Sequence, residues 1–218
     1  MSDTHLSEAK PKPMDIFGTH WHDHPARILA ACRAIIAPGD LLLMPGDLSW
    51  ALKRADADSD LAWLADLPGI KILCKGNHDH WWDSDRALGF PGLYDTPYTS
   101  EDGQIGIAGT RGWFLPDGGG TEAERAHSEK IIAREVSRLS RRLDAIARCP
   151  VKYALIHYPP LEAFVPTLRA HGIETVLCGH LHLNGRDSVP PESWFGLRIL
   201  CVAADRLHFT PRLIATLE

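Results

Sequence analysis

No run of about 18 apolar residues occurs in the 218-residue chain, so the sequence offers no helix that could cross a membrane. No basic stretch followed by an apolar one opens it, so a secretory signal is not expected and the default location is the cytoplasm. Cysteine is scarce and forms no metal-binding pattern. Cys32, Cys74, Cys149, Cys178 and Cys201 are odd in number and include no C-x-x-C pair. That argues against a zinc knuckle and against a disulfide framework. Four of the five stand among apolar residues and read as reduced, buried thiols. Excess basic charge is missing as well: Lys plus Arg number 23 against 28 Asp plus Glu, a net charge of −5 with histidine neutral. A protein whose main task is to hold a nucleic-acid duplex favours a basic surface, so nucleic acid is not the expected partner. A small phosphate-bearing substrate stays open, because bound cations can reverse a local field. Linkers, repeats and low-complexity segments are absent. What remains is 44% hydrophobic and 23% charged residues, an ordinary globular composition read as one domain over residues 1–218.

The apolar runs are of two kinds. Short, strand-like runs are residues 40–44, 70–74, 105–108, 153–156, 175–178 and 197–203. Longer runs with helical spacing lie between them: Pro25 to Ile36, with proline suited to a first helical turn, then Asp58 to Leu67, Glu122 to Ala147 and Leu161 to His171. The third carries many Glu and Arg residues at helical pair spacing and reads as a solvated face. Strands alternating with helices predict an α/β fold with sheets covered by helices. Near the end, residues 207–209 and 213–215 read as further strands without helices, so a second, mixed or antiparallel sheet is expected. Gly118-Gly119-Gly120 reads as a flexible tip before the long helix.

The ends of the strands carry the chemistry. The run ending at Met44 is followed by Pro45-Gly46-Asp47. The run ending at Cys74 is followed by Lys75-Gly76-Asn77-His78-Asp79, Ile156 by His157, and Cys178 by Gly179-His180-Leu181-His182. Four strands each end in a residue able to bind a metal, often after a glycine that lets the backbone turn sharply. Ligands collect at the carboxyl ends of strands in open α/β sheets. Imidazole with carboxylate suits zinc, iron or manganese, and two ions about 3.5–4 Å apart can clamp both oxygens of an in-line displacement. The first residues add Asp3-Thr4-His5. If they too form a strand end, Asp3 and His5 point to the same side.

In this order the blocks resemble the calcineurin-like metallophosphoesterases, whose pattern runs D-x-H, G-D, G-N-H-[DE], H and G-H-x-H. All five are present: Asp3-Thr4-His5, Gly46-Asp47, Gly76-Asn77-His78-Asp79, His157 and Gly179-His180-Leu181-His182. The stretches Pro45 to Trp50, His80-Trp81-Trp82, Gly109 to Trp113 and His157 to Pro160 look like an uncharacterised bacterial branch. The resemblance implies an α/β sandwich of two sheets flanked by helices, and two divalent transition-metal ions (Mn, Fe or Zn). It implies that Asp47 bridges the two ions, that Asp3, His5 and His182 complete one position, and that Asn77, His157 and His180 complete the other. It implies that His78 protonates the leaving oxygen or stabilises phosphoryl charge, with Asp79 orienting His78. The implied reaction is hydrolysis of a phosphomonoester or phosphodiester by metal-activated hydroxide, with a small phosphoester as partner.

One departure stands out. In the family a buried strand precedes D-x-H, whereas only Met1 and Ser2 precede Asp3 here. The expectation is therefore a truncated first strand, with Asp3 and His5 on a frayed terminus. Other readings stay open at this level. Asp47 could cap a helix, Asn77 and Asp79 could serve turns, and His157, His180 and His182 could be core histidines. His20, His22 and His24 read as a solvated rim near the site. Trp81, Trp82 and Trp113 read as either cleft walls or packing, and Arg111 as either a phosphate fork or a loop anchor. Residues 6–24, 83–92 and 184–194 are the expected specificity loops. The competing functions are a non-catalytic scaffold with an impaired metal site, and a nuclease, which requires a basic groove leading to the metals.

Overall fold

The computed structural model describes residues 1–116, 120–183, 185 and 189–216. Gly118 and Gly119 of the expected loop tip, and residues 184 and 186–188 of the third expected specificity loop, lie outside the described residues.

Two sheets form the frame. Strands β1 (Leu41–Met44) and β2 (Ile70–Leu73) pair in parallel. The larger sheet has the order β3-β4-β5-β6-β8-β7, built from Tyr98–Thr99, Ile105–Thr110, Val151–Ile156, Thr175–Cys178, Leu197–Cys201 and Ser193–Trp194. Its four inner strands run parallel, and the two-residue edges β3 and β7 pair antiparallel. The inner strands are nearly continuous in apolar residues because both of their faces are covered. Leu43 and Ile72 of the small sheet meet Ile107, Leu155, Leu177 and Leu200 of the large one, forming a dry layer between the sheets. Helices α1 (His24–Ile35) and α2 (Arg54–Ala65) cover the outer face of the small sheet. Helices α3 (Glu122–Ala145) and α4 (Val165–Ala170) cover the large one. This is the α/β fold that the strand–helix alternation predicts, in the two-sheet form flanked by helices that the resemblance implies.

Local chemistry explains the boundaries. A complete capping box starts α3: the Thr121 hydroxyl accepts from the Glu124 amide while the Glu124 carboxylate accepts from the Thr121 amide. Helix α2 begins four residues earlier than Asp58. An Arg54–Asp58 pair and Asp56 in the first turn favour that start through side-chain pairing and the helix dipole. Helix α4 is shorter than the periodicity implies. Pro166 sits at its first turn, and the preceding residues Glu162–Phe164 form a 3-10 turn instead. Residues 207–209 are not a strand but a series of turns. His208 and Phe209 have φ of 50° and 62°, which a pleated strand does not accommodate. Residues 213–215 have no regular structure.

The first six residues are the largest departure from expectation. They are buried, not frayed, and they thread the gap between the sheets. The Ser2 amide donates to the Val202 carbonyl (2.8 Å), and the Ala204 amide donates to the Ser2 carbonyl (3.0 Å). On the other side the Asp3 amide donates to Gly46 (2.8 Å), His5 to Asp47 (3.1 Å) and Leu6 to Leu48 (2.9 Å). Backbone bonds on both sides satisfy the polar groups of this buried segment. The five cysteines are free thiols; four are buried, and Cys201 is half-buried. Among the described residues, no helix is long and apolar enough to cross a membrane.

Candidate metal centre

The ligand-type residues of the five sequence blocks converge above the carboxyl ends of β1, β2, β5 and β6. Two triads result, one of Asp3, His5 and His182 and the other of Asp47, His157 and His180. Within each, the ligand-type atoms all lie within 4.8 Å of one another. Asp47 lies between the triads, with Oδ2 at 3.4 Å from His157 Nε2 and 4.0 Å from His5 Nε2. The Asn77 side-chain oxygen is 2.7 Å from His157 Nε2, beside the second triad.

The backbone takes unusual conformations to bring these side chains together. Asp3, His5, Asp47 and His180 all have left-handed φ, at 57°, 45°, 54° and 67°. Such residues are uncommon outside glycine, and observed strain of this kind tends to gather at functional sites. The shared side of Asp3 and His5 therefore comes from two left-handed turns, not from strand alternation. Adjacent glycines leave the room. A Cβ on Gly76 would stand 2.1 Å from Asp47 Oδ1, and one on Gly179 would stand 2.3 Å from Asp3 Oδ2.

Neighbouring residues fix the rings. His157 Nδ1 meets the Pro45 carbonyl at 2.9 Å. His182 Nδ1 lies 3.3 Å from Asp205 Oδ1, and Asp205 accepts the Leu183 and Arg206 amides at 2.7 and 2.9 Å. Trp50 stacks on His5 with centroids 4.8 Å apart and lies against His78 at 4.0 Å. Tyr158 lies against His180 at 4.3 Å. Trp21 presents an edge to both His5 and His182.

Burial and mutual charge set the ionisation. Burial raises Asp3 to about 6, against the pull of His157 and His182. Burial also works against ionising Asp47, yet the rings of His157, His5 and His78 hold it well below the usual carboxylate range. His157 responds in kind: burial opposes its charge, but Asp47 and Asp3 lift it to about 9. Burial lowers His5 well below its ordinary value and His180 to about 4. The centre thus holds two buried carboxylates, imidazoles that burial keeps neutral at His5 and His180, and imidazoles whose charge the carboxylates favour at His157 and His182.

That donor set fits divalent cations. His5 Nε2 and His182 Nε2 face each other at 3.2 Å, and the buried His5 Nδ1 has no hydrogen-bond partner. Asp3 is fully buried and, among the described residues, takes the Ser2 hydroxyl and the His180 amide as its hydrogen-bond donors. A buried carboxylate with so few partners costs several kcal/mol unless a cation offsets it. A metal ion held here would have to compete with the proton on His157, because ligands bind metal in their deprotonated form.

Several sequence expectations change here. Asp79 does not bond to His78 among the described contacts. Its carboxylate accepts the amides of Asp47, Leu48, Ser49 and Gly76 and the Trp81 indole N–H, at 2.8–3.2 Å. These bonds exhaust its acceptor capacity, so it shapes the turn that presents Asp47. His78 is half-exposed at the rim, its Nε2 3.9 Å from Asp47 Oδ2 and its amide donating to Asp47 Oδ1 at 2.8 Å. Burial lowers the His78 pKa while Asp47 raises it, and burial wins. The three histidines of the expected rim divide. His24 is buried and bridges the Thr4 and Trp21 carbonyls at 2.9 and 3.1 Å, His20 lies 3.8 Å from Asp205, and only His22 is exposed. Trp81 and Trp82 are core residues, 2% and 1% exposed. Arg111 lies over the Trp113 ring at 4.6 Å and is not part of either triad.

Asp205, Trp50 and Tyr158 are the neighbours that sequence reasoning gave no role. Asp205 falls between the strand-like run 197–203 and the further strand expected at 207–209, a stretch to which the sequence reading gave no chemistry.

The family model described as calcineurin-like phosphoesterase matches residues 1–184, which include every residue of both triads and Asn77. The chain belongs to the calcineurin-like phosphoesterase family, and with it to metal-dependent phosphoester hydrolases. No curated protein sequence matches it significantly. Among solved structures it is similar to a protein of unknown function from Aquifex aeolicus, with 18% identity, 97% of this chain and 91% of that chain covered, and a TM-score of 0.47.

Proposed function

We propose that the protein hydrolyses a small phosphomonoester or phosphodiester at a dinuclear centre, with Asp47 shared between two divalent transition-metal ions. Asp3, His5 and His182 would hold one ion, and Asn77, His157 and His180 the other. Bound there, divalent ions would supply neutralisation of phosphoryl charge and a water of lowered pKa. The rest is the work of the chain. His78 stands half-exposed at the rim with Nε2 toward the centre, within reach of a leaving oxygen, where it supplies a proton or stabilises developing charge. Trp50 limits its rotation by lying against the ring. Asp205 holds His182 through Nδ1, which leaves Nε2 as the ligand atom. Asp79 gathers the amides that fix the Asp47 turn.

The observation that carries this reading is the convergence of two buried triads with a carboxylate between them, built on four strained non-glycine residues. The test is hydrolysis of p-nitrophenyl phosphate and bis-p-nitrophenyl phosphate by the metal-loaded protein. Turnover with Mn²⁺ is expected, with loss on EDTA treatment and recovery on adding the ion back. His78→Ala is expected to slow turnover by about 10²–10⁴-fold. A metal-loaded protein that hydrolyses neither ester would instead favour a non-catalytic scaffold on this fold.

A further inference from the structure

Beside the metal centre, α3 and the carboxyl end of β4 enclose a cavity of about 310 Å³. Its lining includes Lys75, Arg111, Arg134, Arg138 and Arg142, with Glu135 as the single carboxylate. A second cavity of about 340 Å³ adjoins it through Tyr94, Arg138 and Arg142, and adds Arg141 and Asp95. Six cations thus face two carboxylates in a chain whose net charge is −5. The segregation is local, since the protein as a whole has no basic excess.

The carboxylate of Glu135 does not balance these cations. It is 3% exposed and is shared between Arg138 at 2.8 Å and Arg134 at 3.7 Å, while also accepting the Thr110 hydroxyl at 2.5 Å. Arg142 is anchored by neutral acceptors, the carbonyls of Gly109 and Tyr94. Lys75 donates to the Trp82 carbonyl and lies 4.8 Å from the Tyr94 ring centroid. Arg111 lies over Trp113. The five cations of the first cavity are held in place by a carbonyl, a ring or the one shared carboxylate. Positioning cations in this way, without neutralising them, is expensive unless an anion completes the set. Several guanidiniums in fixed positions suit the oxygens of a phosphate group.

We propose that this cavity binds a small phosphate-bearing anion at a site separate from the two metal triads. It goes beyond the phosphoesterase reading and does not depend on it. Enclosure between a helix, a strand end and the loop at Leu93–Tyr94 fits a compact ligand better than a strand of nucleic acid, which needs a groove that continues along its backbone.

The test uses inorganic phosphate as the probe, with the metal-loaded full chain, in equilibrium dialysis at fixed ionic strength. Arg134 and Arg138 are 55% and 35% exposed at their side chains but both pair with the buried Glu135, so the fold of Arg134→Gln/Arg138→Gln is checked by urea unfolding. Arg111→Gln, which leaves that pairing intact, is the second variant and is expected to weaken phosphate binding in the same direction. The double variant is expected to bind phosphate at this site at least tenfold more weakly than the unaltered protein. His180→Ala, which alters the metal centre alone, is expected to retain it. Equal binding by the double variant and the unaltered protein overturns the proposal. So does loss of all phosphate binding in His180→Ala, which would put the anion at the metals. A single-stranded oligonucleotide that displaces phosphate and is itself weakened by the double variant would also overturn it, in favour of a nucleic-acid groove.

Discussion

The two triads reach the same burial by different routes. Asp47, His157 and His180 follow strands of the sheets, where the ladder fixes the backbone to within three residues of the ligand. Asp3 and His5 belong to no strand. They are held by isolated backbone bonds to Val202 and Gly46 on either side, by left-handed turns, and by His24, whose ring meets the Thr4 carbonyl. One triad inherits its precision from the sheet. The other obtains it from a short segment gripped by everything around it. A metal site needs positions fixed to a fraction of an ångström, and both routes supply this. The second depends on more partners outside the segment itself.

Substitutions can break or sharpen that contrast. The largest effect is expected from Asp47→Ala, which removes the carboxylate between the triads; turnover of bis-p-nitrophenyl phosphate should fall to background, and metal content by elemental analysis should drop at both positions. Retention of both ions would show that Asp47 is not shared. Next come the paired glycine substitutions. Gly76→Ala drives a methyl into Asp47, and Gly179→Ala drives one into Asp3. Each is expected to destabilise the fold by about 1–3 kcal/mol through overpacking. Metal titration should show Gly179→Ala impairing chiefly the Asp3 position and Gly76→Ala impairing both; identical titrations for the two would remove the distinction. Asp205→Asn is expected to weaken one ion by about 10–100-fold, the usual result of removing a residue that orients a ligand. Calorimetric titration should then resolve one tight and one weak site, and a uniform loss across both would count against the assignment of His182 to the Asp3 triad. The smallest effect belongs to Thr121→Ala. Loss of the capping box at the start of α3 should lower stability by about 1 kcal/mol in urea unfolding with turnover unchanged, because α3 contributes no ligand.

Much of the candidate site was legible because its residues are local in sequence. A glycine followed by Asp, Asn or His directly after an apolar run is a pattern of adjacent residues, and the strand that places it is equally local. Asp205 and Trp50 were not legible as neighbours of His182, His5 and His78, since nothing near them in sequence encodes the contact. The role of Asp79 was misread for a similar reason. Adjacency to His78 suggested a bond to that ring, but the turn directs the carboxylate toward amides 30 or more residues away. The basic cavity was illegible in the same way. The charges of α3 read as a solvated face, and only packing against β4 turns Arg134, Arg138 and Arg142 toward Lys75 and Arg111.

By itself, then, the sequence determined the alternation of strands and helices, the ligand types, and the order in which they meet at the strand ends. These follow from side-chain periodicity and from the bonding preferences of glycine, carboxylate and imidazole. The tertiary structure alone decided that residues 1–6 are buried rather than frayed, that turns rather than a further strand occupy residues 207–209, and that cations scattered over residues 75–142 share one cavity. The physical reason is that these depend on backbone bonds and electrostatic fields between segments far apart in the chain, and no local pattern records them.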